Sequence, residues 1–431
     1  QGTFLSVWIS EIASDNTIAG GESVTDTEGL HQIDAMNHGA VNNELRNIFR
    51  WNYAGITRCN FITENKDKID FDGKNIIIAQ ARFLRAFYYF ELVKFFGDVP
   101  LIIDQRLGVE QVTELPRTPK VDVYAQIESD LTYAVDNLEL TTTTKGKATK
   151  GAAQSLLGKA YLYQQRWIEA TQMFDLVINS GQYGLFNDFS KLFLVDNEGC
   201  NETIFDVEYS GLEGGGYGCL ICLEGNAGPG FQGIRQYNGP VYGDGNSYNL
   251  PTQNLYDAFE ANDLRREATC LDIDAFIAAQ PNAASITYAE GGGGHTGYYN
   301  NKYIKRQAEI GLPDNDLTSP VNYRAIRYAD VLLMAAEAYF ESGNLSLATQ
   351  YLNSVRARVN MPSISGITIN EIYNERRLEL SCEGHRFFDL VRTGQAANMI
   401  TNFTTNKNEL FPIPLVEIDL AGGNWTQNQG Y

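Results

Sequence analysis

The sequence predicts a mainly α-helical protein: a tetratricopeptide-like scaffold of helical pairs, an alpha-alpha superhelix, interrupted by a large loop-rich variable insertion. Three observations carry this. Two stretches share the spacing of a helical repeat, one long stretch is apolar almost all round, and the segment between the repeats loses helical periodicity and fills with Gly, Asn and Tyr.

The first repeat is "AAQSLLGKAYLYQQRWIEATQMFDLVI", residues 152–178. Leu157, Gly158, Tyr161, Ala170, Phe174 and Val177 fall at tetratricopeptide offsets, with small residues where two antiparallel helices cross and rings filling the space between them. The second, at 328–362, repeats the pattern with Ala336, Tyr339, Ala348, Leu352 and Val355. Gly343-Asn344 forms its turn, and Pro362 follows the second helix. Two earlier helices read as degenerate members. Residues 42–65 place Trp51, Ala54 and Gly55 in first-helix positions; "NIIIAQARFLRAFYYFELVKFF" places Ala86 and Tyr89 in the small and aromatic slots. Being apolar on most sides, this second helix should be buried on several of them, and Gly97 and Pro100 stop it. Residues 121–138 then supply Val123, Ile127, Leu131, Ala134 and Leu138 on one face, as its antiparallel mate.

The insertion is predicted over 182–320. "YSGLEGGGYGCLICLEGNAGPGFQGIRQYNGPVYGDGNSYNLP" and "YAEGGGGHTGYYNNKYIKR" carry Tyr209, Tyr217, Tyr237, Tyr242, Tyr248, Tyr298 and Tyr299. Two readings stand side by side: loops presenting rings to a ligand, or rings packing the loops themselves. A ligand of the first kind is a sugar, whose apolar C–H face stacks on aromatic rings.

Composition excludes other classes. A net charge of −20 repels phosphate backbones, so nucleic acid is not expected as a partner. No stretch approaches about 18 consecutive apolar residues, which a membrane-spanning helix needs. The chain opens on "QGTFLSVWIS", without an initiator Met or basic leader, and so reads as a processed or trimmed chain whose export signal or anchor lies upstream. Cys219-x-x-Cys222 lacks the second pair or histidines of a zinc site, so free thiols or a local disulfide are expected, and no metal. No cofactor is expected; the acidic loop "GLPDNDLTS" at 311–319 has oxygens for calcium but not the spacing of a known loop. The tetraglycine at 291–294 is not followed by a phosphate-loop pattern, and neither a nucleophile elbow nor a zincin motif is present. Four Asn-x-Ser/Thr triplets, at 201, 344, 402 and 424, read as accidental.

Four segments in order, "ARFLRAFYYFELVKFFGDVPLI", "YRAIRYADVLLMAAEAYF", "YNERRLELSCEGHRFFDLVRTGQA" and "LFPIPLVEIDLAGGNWTQNQGY", resemble signatures of the SusD/RagB family. With the repeats they cover most of the chain from about residue 42 onward. The resemblance implies a SusD-like fold and a non-enzymatic, cell-surface lipoprotein of Bacteroidetes. Such a protein would capture glycan, or another nutrient, for a TonB-dependent SusC-like transporter in the outer membrane. Its lipid anchor would sit on an N-terminal cysteine absent from this chain. The helical repeats would face the transporter, and loops would build the ligand surface.

On this basis residues 1–41 form an N-terminal polar segment, 42–181 the helical scaffold and 182–320 the ligand-facing region. Residues 321–362 form a further repeat, and 363–431 a signature region packed on the scaffold. Asp15 and Asn16, in a polar loop where such proteins reach ligand, are paired with Tyr237, Tyr242, Tyr248, His295, Tyr298 and Tyr299 as ligand-binding residues. Arg235, Lys302, Lys305 and Arg306 offer a local basic patch should the ligand be anionic. Arg82, Arg85, Arg327, Asp330, Glu375, Arg376, Glu379, Glu383, His385, Arg386 and Asp389 are taken as structural signature residues rather than catalytic ones. In the last cluster, Arg376–Glu379 is expected as ordinary helix pairing and His385 as the one group able to titrate near neutrality. The cluster as a whole is expected to latch the C-terminal segment onto the last repeat. The rival readings are a protein-binding repeat adaptor, which has no need of a tyrosine-rich insertion, and a glycoside hydrolase, which needs two carboxylates at defined separation.

Overall fold

The computed structural model describes residues 2–68, 70–212, 224–309, 314 and 317–431. Cys219, Cys222, Tyr217 and most of the acidic loop at 311–316 lie outside the described residues.

The chain opens with α1 (Gly2–Ile12), β1 (Thr17–Gly20) and α2 (Glu28–Asp34). The scaffold follows: α3 (Asn43–Glu64), α4 (Lys74–Phe96), α5 (Val109–Glu114), α6 (Lys120–Asn137), α7 (Lys150–Tyr163) and α8 (Trp167–Asn179). Asn42 and Thr149 cap α3 and α7 by accepting from the backbone N–H three residues on. Each helix packs on the next, α3 on α4, α4 on α6, α6 on α7 and α7 on α8. The predicted small residues sit at the crossings. A Cβ on Gly158 would lie 2.5 Å from the Phe174 ring, and one on Gly55 2.3 Å from Tyr88. Phe174 is fully buried, as predicted, whereas Tyr161 stays half-buried at the rim with the Arg166 guanidinium 4.4 Å over its ring. Arg85 ties the ladder from within: its guanidinium grips Asp130 of α6 through two 2.8 Å bonds and also reaches Asn60 and Asp104. Arg82 lies 4.2 Å over the Tyr133 ring, 3.9 Å from Asp130.

The insertion is built of short pieces. They are β2 (Thr203–Val207), α9 (Gly228–Gln232), β3 (Ile234–Arg235), β4 (Asp244–Gly245), β5 (Tyr248–Pro251), α10 (Gln253–Ala258), α11 (Arg265–Thr269), β6 (Cys270–Asp272), α12 (Ile273–Ala278) and β7 (Tyr298–Asn300). The chain then returns through β8 (Tyr323–Arg327) into α13 (Tyr328–Glu341) and α14 (Leu345–Arg358). α13 packs on α8, so the second repeat stacks directly on the first across the insertion. β2 pairs with β8 where the insertion leaves and rejoins the scaffold; β1 pairs with β5, and β6 with β7, all antiparallel.

The chain ends with α15 (Ile369–Leu380), α16 (Arg386–Arg392), α17 (Ala396–Met399) and α18 (Leu415–Leu420). The Thr368/Glu371 capping box starts α15. Its charged residues do not make the surface pairs predicted from spacing. Glu375, Arg376 and Glu379 are buried, so each must find a partner across the core. Arg376 pairs with Asp330 of α13 and with Asp389. Glu379 meets Arg327, Arg265 and Arg358. Glu375 bridges Arg265 and Arg356, and Glu383 holds both Arg327 and Lys302. Arg386 grips Asp15 at 2.7 and 2.9 Å. The cluster therefore joins the last repeat, the insertion and the N-terminal segment at one buried node, a wider role than a C-terminal latch. His385 does not titrate near neutrality. Burial, with Lys159 beside it, pushes its pKa down to about 3, so it stays neutral.

Candidate functional site

The residues predicted to meet a ligand are mostly occupied inside the protein. Tyr237, Tyr242 and Tyr299 form a small core with Ile234, Leu250, Leu271, Ile273, Ile286 and Ile304. Their hydroxyls are satisfied there: Tyr237 donates to the Pro240 carbonyl at 2.8 Å, Tyr242 to Asn301 at 3.2 Å, and Tyr299 lies 3.4 Å from Ser247. Tyr248 stacks on Trp8 at 5.4 Å and reaches Thr27. Asp15 is committed to Arg386 and Arg377. Asn16 is fully buried between Glu11 and Arg377. These side chains have traded water for protein partners, so the tyrosines build the insertion, and Asp15 and Asn16 fasten the N-terminal segment to the C-terminal region, rather than face outward. The basic patch does not form either. Lys302 is buried on Glu383, Arg235 pairs with Glu22, Arg306 pairs with Glu309, and Lys305 is itself buried.

Tyr298 is buried too, but beneath a different, partly exposed ring. In the β6–β7 ribbon Asp272 faces Tyr298 and Leu271 faces Tyr299, so Tyr298 and Tyr299 point to opposite sides. On its side Tyr298 stacks on Tyr256, with ring centroids 4.4 Å apart and planes inclined by 21°. Tyr256 is presented by α10, whose Thr252 cap accepts from Leu255 N–H while the Leu255 side chain anchors the helix in the core. That leaves Gln253, Asn254 and Asp257 exposed around the half-buried Tyr256. Tyr298 donates to Gln253 at 3.1 Å, and Tyr256 donates to Glu267 at 3.0 Å. Partial burial and the Glu267 carboxylate push the Tyr256 phenol up to about 12. Arg266 from α11 sits 4.9 Å over the Tyr256 ring and bonds Glu267. The neighbour Arg265 turns inward to Asp263, Glu375 and Glu379, which fixes α11 against the buried node. A two-ring stack results, fringed by amides, carboxylates and a guanidinium. Planar groups of these kinds bind paired hydroxyls while the rings take an apolar face.

His295 lies close by sequence but on the Tyr299 side, 5.8 Å from Tyr288 and 6.3 Å from Tyr299, its Nδ1 buried without a protein partner. Tyr288 donates to Asp274 at 3.0 Å. The tetraglycine beside it packs backbone against backbone: a Cβ on Gly291 or Gly293 would lie 2.2 or 2.1 Å from the carbonyl oxygens of Gly21 and Gly20. Gly292 N–H donates to the Glu22 carbonyl at 2.8 Å. Tyr256 and Arg266 escape the sequence reading because they sit in short polar helices outside the Gly-rich strings. The available signal is an aromatic flanked by exposed polar residues at helical spacing.

Among the described residues, no group of three or more His, Cys, Asp and Glu is placed to hold a metal, and no helix is long and apolar enough to cross a membrane. The helical ladder with its inserted loop platform defines the class. A SusD family profile matches residues 279–431, and a profile described as "Starch-binding associating with outer membrane" matches residues 6–162. SusD-like protein P2 of Formosa agariphila is 30% identical over 404 residues, covering 87% of this chain and 77% of that protein. A solved laminarin-binding SusD-like protein superposes with a TM-score of 0.90 at 33% identity, over 99% of this chain and 94% of that one. Surface glycan-binding protein A from Bacteroides thetaiotaomicron, solved with laminarihexaose, gives 0.89 at 27% identity, over 98% and 93%. The chain belongs to the SusD family.

Proposed function

We propose that the protein captures glycan at the surface of the outer membrane, held there by an N-terminal lipid anchor, and passes it to a SusC-like TonB-dependent transporter. The ligand-contact platform is the half-buried Tyr256, backed by the buried Tyr298, with Gln253, Asn254, Asp257, Arg266 and Glu267 around it. The likeness to a laminarin-binding and a laminarihexaose-bound relative supports a laminarin-type glucan as ligand. A neutral polymer meets no charge penalty from a chain of net charge −20, which would repel a polyanion. The single observation carrying the site is the ring stack fringed by planar polar groups. Both rings are fixed in place, so little ordering entropy is lost on binding.

Isothermal titration with laminarin tests it. Tyr256→Ala should weaken binding about tenfold or more, roughly 1.4 kcal/mol, with little change in melting temperature. Unchanged affinity in a folded Tyr256→Ala protein would remove the platform from the site. Absence of laminarin binding alongside binding to another polysaccharide would move the ligand and keep the class. New reducing ends on incubation would overturn capture without chemistry.

A further inference from the structure

A cavity of about 400 Å³ lies away from the tyrosine platform, between α1, α3, α4, α7 and β8. That size falls in the range of small-molecule sites. Its walls mix rings and charges: Trp51, Phe87, Tyr88 and Phe90 on one side, Lys94, Lys159, Glu91 and His385 on the other, with exposed Ala54 and Arg58 also lining it.

The lysines are unusual. Lys94 is nearly buried, with its ammonium 2.7 Å from Glu91 and 4.4 Å over the Phe388 ring. Lys159 is also buried, 3.2 Å from Asp330 and 3.4 Å from His385 Nδ1. Each ammonium carries three N–H donors. Protein acceptors take two at Lys159 and one at Lys94, which leaves three donors for whatever fills the cavity. Charge points the same way. Lys94, Lys159 and Arg58 are opposed by Glu91 and by Asp330, which holds Lys159 from behind, and His385 is neutral. The charge left over among these is that of the exposed Arg58, which adds a positive charge to the lining in a chain of net charge −20. Burial and the nearby Lys159 hold the Lys94 pKa below its usual value, against the pull of the Glu91 and Asp389 carboxylates.

We propose that this cavity is a second binding site, for a small carboxylate bearing a ring or other apolar body, with Lys94 and Lys159 receiving the carboxylate and Trp51, Phe87 and Tyr88 enclosing the body. The site does not depend on the glycan platform. The two carboxylate oxygens can accept from the leftover donors, and the rings on one side of the cavity lower the local dielectric and strengthen each charge-assisted bond. A neutral sugar of similar size would satisfy the donors without matching the charge.

The test is titration of the full chain with glucuronate and with benzoate, followed by calorimetry and by intrinsic tryptophan fluorescence, with glucose as the neutral control. At least one carboxylate should bind one to one, with glucose at least tenfold weaker. Lys94→Gln should weaken that binding tenfold or more. Ala54→Trp places an indole at an exposed position of the lining, where folding is not at risk, and should abolish carboxylate binding while leaving melting temperature and laminarin affinity unchanged. Failure of both carboxylates to bind, equal binding of glucose, or binding that survives Ala54→Trp and Lys94→Gln would each overturn the assignment. Loss of laminarin binding in Tyr256→Ala with carboxylate binding intact separates this site from the proposed glycan platform.

Discussion

In the helical ladder Gly158 and Gly55 make room for rings, Phe174 and Tyr88. In the insertion Gly291 and Gly293 make room for the carbonyls of Gly21 and Gly20. The same residue serves side-chain packing in one region and backbone packing in the other. The ladder's rings lie between long helices whose backbone bonds are internal. The insertion's rings, Tyr237, Tyr242 and Tyr299, lie among short ribbons and must also satisfy hydroxyls and loop carbonyls. Apolar repetition holds the ladder together; the insertion relies on individually placed polar contacts and on the buried charge node that fastens it.

That contrast can be broken at the node first. Arg327→Met leaves Glu202, Glu379 and Glu383 short of a counter-charge in a buried setting, and should cost about 3–5 kcal/mol in urea unfolding or prevent folding. Adding Glu383→Gln should restore part of the loss; no recovery would mean the pairs are not coupled. Next come the glycines. Gly158→Ala meets a ring that can shift and should cost about 1–3 kcal/mol of global stability. Gly293→Ala meets a backbone carbonyl that cannot, so it should instead free residues 20–27 to limited proteolysis. Equal global losses without new cleavage would erase the distinction.

The smallest effect expected is in pH dependence. Burial pushes His38 down to about 4 and His385 to about 3, against about 6.5 when unfolded. The unfolded chain then binds more protons below pH 6.5, so this stability is full above 6.5 and is lost as pH falls toward 4 and 3. Asp206, pushed up to about 7 by burial, has the opposite sign: its contribution is full below 3.8 and is lost as pH rises through 7. Urea midpoints at pH 7.5 and 5 should therefore show a shallower acid loss in His38→Gln and a steeper one in Asp206→Asn. A reversed order would refute the assigned signs.

Much of the ladder is legible in the sequence because helical period survives at a distance. Val123, Ile127, Leu131 and Ala134 mark one face whatever lies opposite, and all are buried. The signature charges are legible as residues but not as partners. Spacing offers Arg376 to Glu379, three residues away, whereas burial sends it to Asp330, 46 residues distant in the chain. The insertion defeats local reading for a related reason. Which cluster a tyrosine packs into depends on which ribbon face it occupies: adjacent Tyr298 and Tyr299 are both buried, but parity sends one to Tyr256 and the other to the small core of the insertion. Trp51, Phe87 and Tyr88 mislead in another way: read as repeat positions or ladder core, they also line a cavity that no periodicity announces.

The stacking of α13 on α8 has an evolutionary reach. Because the two repeats meet across the insertion, the intervening chain behaves thermodynamically as a long closed loop whose ends the scaffold supplies. Closure entropy grows only logarithmically with length, about 0.6 kcal/mol for each doubling. Loops can thus be lengthened, shortened or exchanged between lineages at little cost to the body that carries them. Selection is free to rewrite what such a protein recognises while the ladder, and whatever docks on it, stays the same.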